Sequence, residues 1–134
     1  MISTKLICML SFLFMFWMTG IFSQDISEPY TYKELEETGN YEKALLLVNQ
    51  KLENDSLNPN LWSDAAKLYR LNQQYKKAIL AIEKAIKLDP VNKRNVIFLP
   101  RINKMAGKHD EAQKIYLDLL KSEPNNIMAL SDLA

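Results

Sequence analysis

His109 and Cys8 are the chain's only histidine and only cysteine. A histidine serves as a general base when a nucleophile stands within hydrogen-bond reach, and as a metal ligand when other ligands share its site. The sequence supplies His109 with neither kind of companion. Asp64, Asp110 and Glu111 read as members of solvated helix faces, without ligand spacing. No glycine-rich phosphate loop exists, because Gly39 and Gly107 stand alone at the turns of helical hairpins. The residues therefore specify no catalytic constellation, no metal site and no cofactor. They point away from chemistry and towards holding another molecule. Asn54-Asp55-Ser56 has the glycosylation triplet, a pattern short enough to arise by chance.

The N-terminal segment is built unlike the rest. Met1 to Lys5 carry one positive charge, Leu6 to Met18 form a nearly unbroken apolar run of 13 residues, and Ser23 closes the segment. That is the order of a secretory signal. A spanning helix needs about 20 apolar residues, so residues 1–23 are expected to be cleaved and the mature chain exported, to a periplasm or the cell exterior. A bacterial envelope fits the short signal and the cysteine-free remainder. The other reading retains Leu6 to Phe22 as an anchor, and only then does the protein engage a membrane. Without Cys8 no disulfide can form, so helix packing must supply the stability. Cleavage takes Lys5 from the 17 basic residues and leaves 16 of them against 16 acidic ones. A zero balance argues against a bulk electrostatic hold on nucleic acid.

What positions the remaining residues is a repeat of 34. Asn58, Asn92 and Asn126 stand in register, as do Gly39, Gln73 and Gly107, and Ala44, Ala78 and Ala112; Tyr41, Tyr75 and His109 follow the same spacing. In the clearest unit, Asn58 caps a helix that Pro59 opens. Trp62, Ala65, Ala66, Leu68 and Tyr69 recur at helical spacing along it. Asn72-Gln73-Gln74 makes a turn. Tyr75, Ala78, Ile79, Ile82, Ala85 and Ile86 form the apolar face of a second helix, which Asp89-Pro90 stops.

On these residues the chain resembles the tetratricopeptide repeat family. The family pattern of large, small, aromatic and proline places is met by Trp62, Ala66, Tyr69, Ala78, Ala85 and Pro90, with Ile82 where an aromatic is usual. The resemblance covers residues 25–134 as repeats at about 25–58, 59–92 and 93–126 and part of a fourth at 127–134, with the repeat domain beginning at 24. It implies an all-α fold of antiparallel hairpins stacked into a right-handed solenoid. The first repeat is weaker, with Lys51 and Ser56 at two key places and a first helix expected at about Glu28 to Thr38. In the third, Pro100 takes a place meant for a small residue. A kink between Val96 and Pro100 is expected there, or a helix that restarts at Pro100, with Leu99, Ile102 and Met105 supplying its apolar face.

The resemblance also implies a binding face. First helices of such repeats line a concave surface, and the inward places here are Asn60, Ser63, Lys67, Arg70 and Leu71, then Arg94, Ile97, Arg101, Lys104 and Met105. Five of these ten are basic and none is acidic. Repeat one adds Ile26, Pro29, Lys33, Glu36 and Glu37, so that end is mixed. A groove for an extended protein or peptide segment with acidic groups is one reading. A solvated basic face is the other. Some cytosolic relatives clamp a chaperone's C-terminal carboxylate, but Pro29 and Phe98 stand at clamp places here, so that function is not implied.

The expected function is non-enzymatic protein–protein interaction, as an adaptor or scaffold. The alternative is the N-terminal accessory domain of a larger exported enzyme or sensor, since the fourth repeat stops at Ala134 with Leu130 and Leu133 uncovered. Neither partner identity nor oligomeric state is written in these residues. The intact mass of the native protein separates these readings. A mass for Gln24 to Ala134 means a cleaved, freestanding adaptor. Retention of Met1 to Ser23 means the anchor, and a larger mass means the accessory domain.

Overall fold

The computed structural model describes residues 30–134. The segment expected to be a secretory signal, and the expected start of repeat one, lie outside them. The described residues form seven helices: α1 (Tyr32–Glu37), α2 (Tyr41–Asn54), α3 (Pro59–Leu71), α4 (Tyr75–Leu88), α5 (Lys93–Met105), α6 (His109–Ser122) and α7 (Ile127–Leu133). No strand occurs among the described residues. Each helix packs against the next, making three hairpins and a final single helix. No helix in the described residues is long and apolar enough to cross a membrane.

The local signals recur with the repeat. Asn58, Asn92 and Asn126 are the N-caps of α3, α5 and α7, and each side chain accepts from backbone N–H groups of its helix. Such a cap stabilises a helix by about 1 kcal/mol. Within every hairpin the turn is closed by the same pair of backbone bonds. Gly39, Gln73 and Gly107 lie at φ 77°, 57° and 77°. The next residue in each case donates back across the turn, Asn40 to Leu35, Gln74 to Tyr69 and Lys108 to Asn103, all at 2.8 Å. This is the Schellman closure, which needs a left-handed residue and so favours glycine.

Helix pairs meet at small residues. Ala44, Ala65, Ala66, Ala78, Ala85 and Ala129 are wholly buried, and Ala112 nearly so. Leu35, Val48, Leu68, Ile82 and Ile102 fill the main core, while Ile97, Ala112, Tyr116 and Ala129 form a second cluster at the C-terminal end.

Three expectations change. Helix α1 begins at Tyr32 rather than Glu28, because Thr31 and Glu34 form a reciprocal capping box that fixes the start. Met105 does not supply core surface, being 49% exposed at the end of α5. Helix α5 runs unbroken from Lys93 to Met105, so it does not restart at Pro100. The ring of Pro100 is fully buried. Burial of the ring holds the helix across the backbone bond that proline cannot donate to Val96. Pro100→Ala restores the bond at the loss of a little buried volume. It should raise stability by about 1–2 kcal/mol in urea unfolding. A loss of stability would mean that the ring's packing outweighs the bond.

Candidate functional site

The first helices α1, α3, α5 and α7 are linked side to side by polar contacts between residues 31 or 32 apart. Tyr32 Oη donates to Asp64 Oδ2 at 2.7 Å, and Ser63 Oγ to Asn95 Oδ1 at 2.7 Å. Lys67 is ion-paired with Glu36. Arg101 Nε donates to Asp132 Oδ2 at 2.6 Å. Asp132 is a hub: it also accepts from Tyr116 Oη at 3.1 Å, and its backbone oxygen accepts from Lys104 Nζ at 3.0 Å.

The seven residues proposed for binding thus separate into groups. Lys67, Arg101 and Lys104 are engaged with the neighbouring repeat. Ser63 is half-buried and spent on Asn95, whose own Nδ2 is buried without a partner. Asn60 and Arg94 are exposed, and Arg94 has no carboxylate partner among the described residues. Arg70 is half-buried, with its guanidinium 5.5 Å from the centre of the Phe98 ring and its Nε unpaired. Among the other inward places, Leu71 is half-buried and Ile97, only 3% exposed, belongs to the second core cluster instead of an open face. Lys33 and Glu37 are exposed. Ile26 and Pro29 lie outside the described residues.

The pairing of the acids Asp64, Glu36 and Asp132 is not among the sequence expectations. Asp64 is half-buried under Tyr32 and not simply solvated, whereas Asp110 and Glu111 are exposed as expected. The signal that could have found Asp64, Glu36 and Asp132 is complementary polar residues slightly less than one repeat apart. His109 is exposed at the first position of α6.

Electrostatics follows the contacts. Burial, then the bond to Asp64, pushes the Tyr32 hydroxyl up to about 12. Burial, then the Asp132 charge, does the same for Tyr116. The hydrogen bond to Asp132 raises the Arg101 guanidinium further above its ordinary value. A tyrosine whose folded pKa exceeds its unfolded value near 10 contributes stability that is complete below pH 10 and lost as pH rises through about 12.

Residues 59–90 match the family model of the tetratricopeptide repeat. No curated protein matches the chain in sequence. Solved structures do match in fold. The second tetratricopeptide domain of human RPAP3, in complex with the HSP70 peptide SGPTIEEVD, is 25% identical with a TM-score of 0.66, covering 76% of this chain and 85% of that one. The first such domain of Spaghetti (RPAP3), bound to the HSP90 peptide SRMEEVD, is 24% identical with a TM-score of 0.66, covering 76% and 81%. MamA from Desulfovibrio magneticus RS-1 is 20% identical with a TM-score of 0.64, covering 72% and 54%. The described residues therefore form a helical solenoid of the tetratricopeptide type.

Alkaline titration followed by tyrosinate absorbance checks the polar links. Tyr32 and Tyr116 should ionise near pH 12, and Tyr32→Phe and Tyr116→Phe should each remove part of that late step. Ionisation of both near pH 10, with helicity intact, would mean that neither hydroxyl is held as described.

Proposed function

We propose that this chain is a non-enzymatic peptide-binding module of an exported compartment, an adaptor or scaffold holding an acidic partner segment along α1, α3, α5 and α7. The observation that carries the reading is the pair Arg70 and Arg94, cations on adjacent first helices without a carboxylate partner among the described residues. Arg70 is oriented by Phe98 and keeps an unpaired Nε. With Nε enclosed, a ligand carboxylate would be taken by the terminal N–H groups of the half-buried guanidinium.

The peptides in the two RPAP3 structures, SGPTIEEVD and SRMEEVD, support a peptide as the ligand class. Each carries consecutive glutamates. The face is formed before any partner arrives, so affinity loses little to ordering. Lys67, Arg101 and Lys104 serve chiefly to hold the repeats in line and add a positive field at the rim.

Panning a random-peptide phage library on the protein tests this. Acidic peptides should be enriched, and the double variant Arg70→Glu with Arg94→Glu should lose that enrichment and about tenfold or more in affinity for the selected peptides. Enrichment of neutral or basic peptides would contradict the acidic partner. Unchanged binding by the variant would move the site off this face.

A further inference from the structure

The second repeat departs from its neighbours around one turn. Gln73 takes the left-handed place that Gly39 and Gly107 hold, at φ 57°. A side chain there strains the backbone by about 1 kcal/mol relative to glycine. In the first turn of α2 stands Glu42, and in that of α6 stand Asp110 and Glu111, where an acid suits the positive end of a helix. Helix α4 has no acid in its first turn and carries Lys76 and Lys77 instead. Lys108 follows Gly107 in the neighbouring turn, as the N-cap of α6 without a side-chain cap bond. Each choice is locally unfavourable, and all of them converge on one groove.

That groove lies between the turn of the second hairpin and the turn of the third and has a volume of about 450 Å³. Tyr75 and Ile79 line it, and Lys76, Lys77, Lys108 and Gln73 surround them. It contains no carboxylate. None of the three lysines is ion-paired among the described residues. Lys77 Nζ rests 5.7 Å from the centre of the Tyr69 ring. The contrast with the groove on α6 is plain, since there Asp110 and Asp118 balance Lys114 and Lys121.

We propose that this turn groove is a second docking site, distinct from the row of first helices, for an acidic protein segment bearing an apolar side chain. Three unopposed ammonium groups call for carboxylates. The apolar lining calls for a hydrophobic residue between them, which a small anion would leave unmatched. The Gln73 amide, held at a place glycine would fill more cheaply, can donate to the segment's backbone carbonyl.

The probe is a fluorescein-labelled peptide, EDELEDFED, titrated against the whole chain by fluorescence anisotropy. Lys76→Glu with Lys108→Glu should weaken binding about tenfold or more, and Arg70→Glu with Arg94→Glu should leave a component that the lysine pair removes. Gln73→Gly should raise the melting temperature while weakening binding severalfold. Higher stability with unchanged affinity would remove Gln73 from the site. Absence of binding to the wild type, or loss only with the arginine pair, would overturn the proposal. The second of these leaves the first-helix face standing, so the two readings fail separately. Binding to phosphatidylglycerol vesicles through the lysine pair, without binding to the peptide, would overturn it in favour of a lipid surface.

Discussion

Everything in this molecule depends on how closely two helices can approach. A hairpin of one repeat cannot bury its own apolar face, so it must lie against its neighbours along the whole length of each helix. Ala44, Ala65, Ala66, Ala78, Ala85 and Ala112 make that possible. They remove the bulk that would hold the helices apart, and leave Leu68, Ile82 and Ile102 to fill the space between hairpins. Each fully buried residue of that size contributes about 1.5–3 kcal/mol. With no cysteine among residues 24–134, such contacts are the chain's main source of stability.

Stacking by close contact fixes the distance between repeats but only loosely fixes their angle. The polar links between first helices constrain it further. Tyr32 with Asp64, Lys67 with Glu36, and Arg101 with Asp132 each join one repeat to the next. Those links have a consequence for function. A basic face of five cations becomes, after pairing, a face on which Arg70, Arg94 and Lys104 lack an internal carboxylate, and Lys104 is held on the Asp132 backbone oxygen. Exposed pairs of this kind contribute little stability individually, so their main effect is on orientation and on how much charge is left for a partner.

Much of this could be read from the residues. The asparagine caps, the turns at Gly39, Gln73 and Gly107, and the alanine register are local features repeated at one spacing, and local features survive translation into structure. What could not be read depends on neighbours. Pro100 is tolerated within α5 because surrounding helices hold it, and no propensity encodes that. The α1 start differs for another reason: the Thr31–Glu34 box is visible in the sequence, but the weak repeat pattern around it points to an earlier start. Asp132 and Asp64 became partners only once the angle between repeats placed them opposite Arg101 and Tyr32. Family register places Ile97 on the open face, but residues of α6 and α7 bury it.

The central claim is that a partner segment lies across the first helices of the stack. Backbone amide chemical shifts during titration with an acidic peptide selected on the protein test it most directly. The account predicts that perturbations concentrate on α3 and α5, around Arg70, Arg94 and Phe98. Perturbations confined to the exposed faces of α2 and α4, around Leu46 and Leu80, would contradict it.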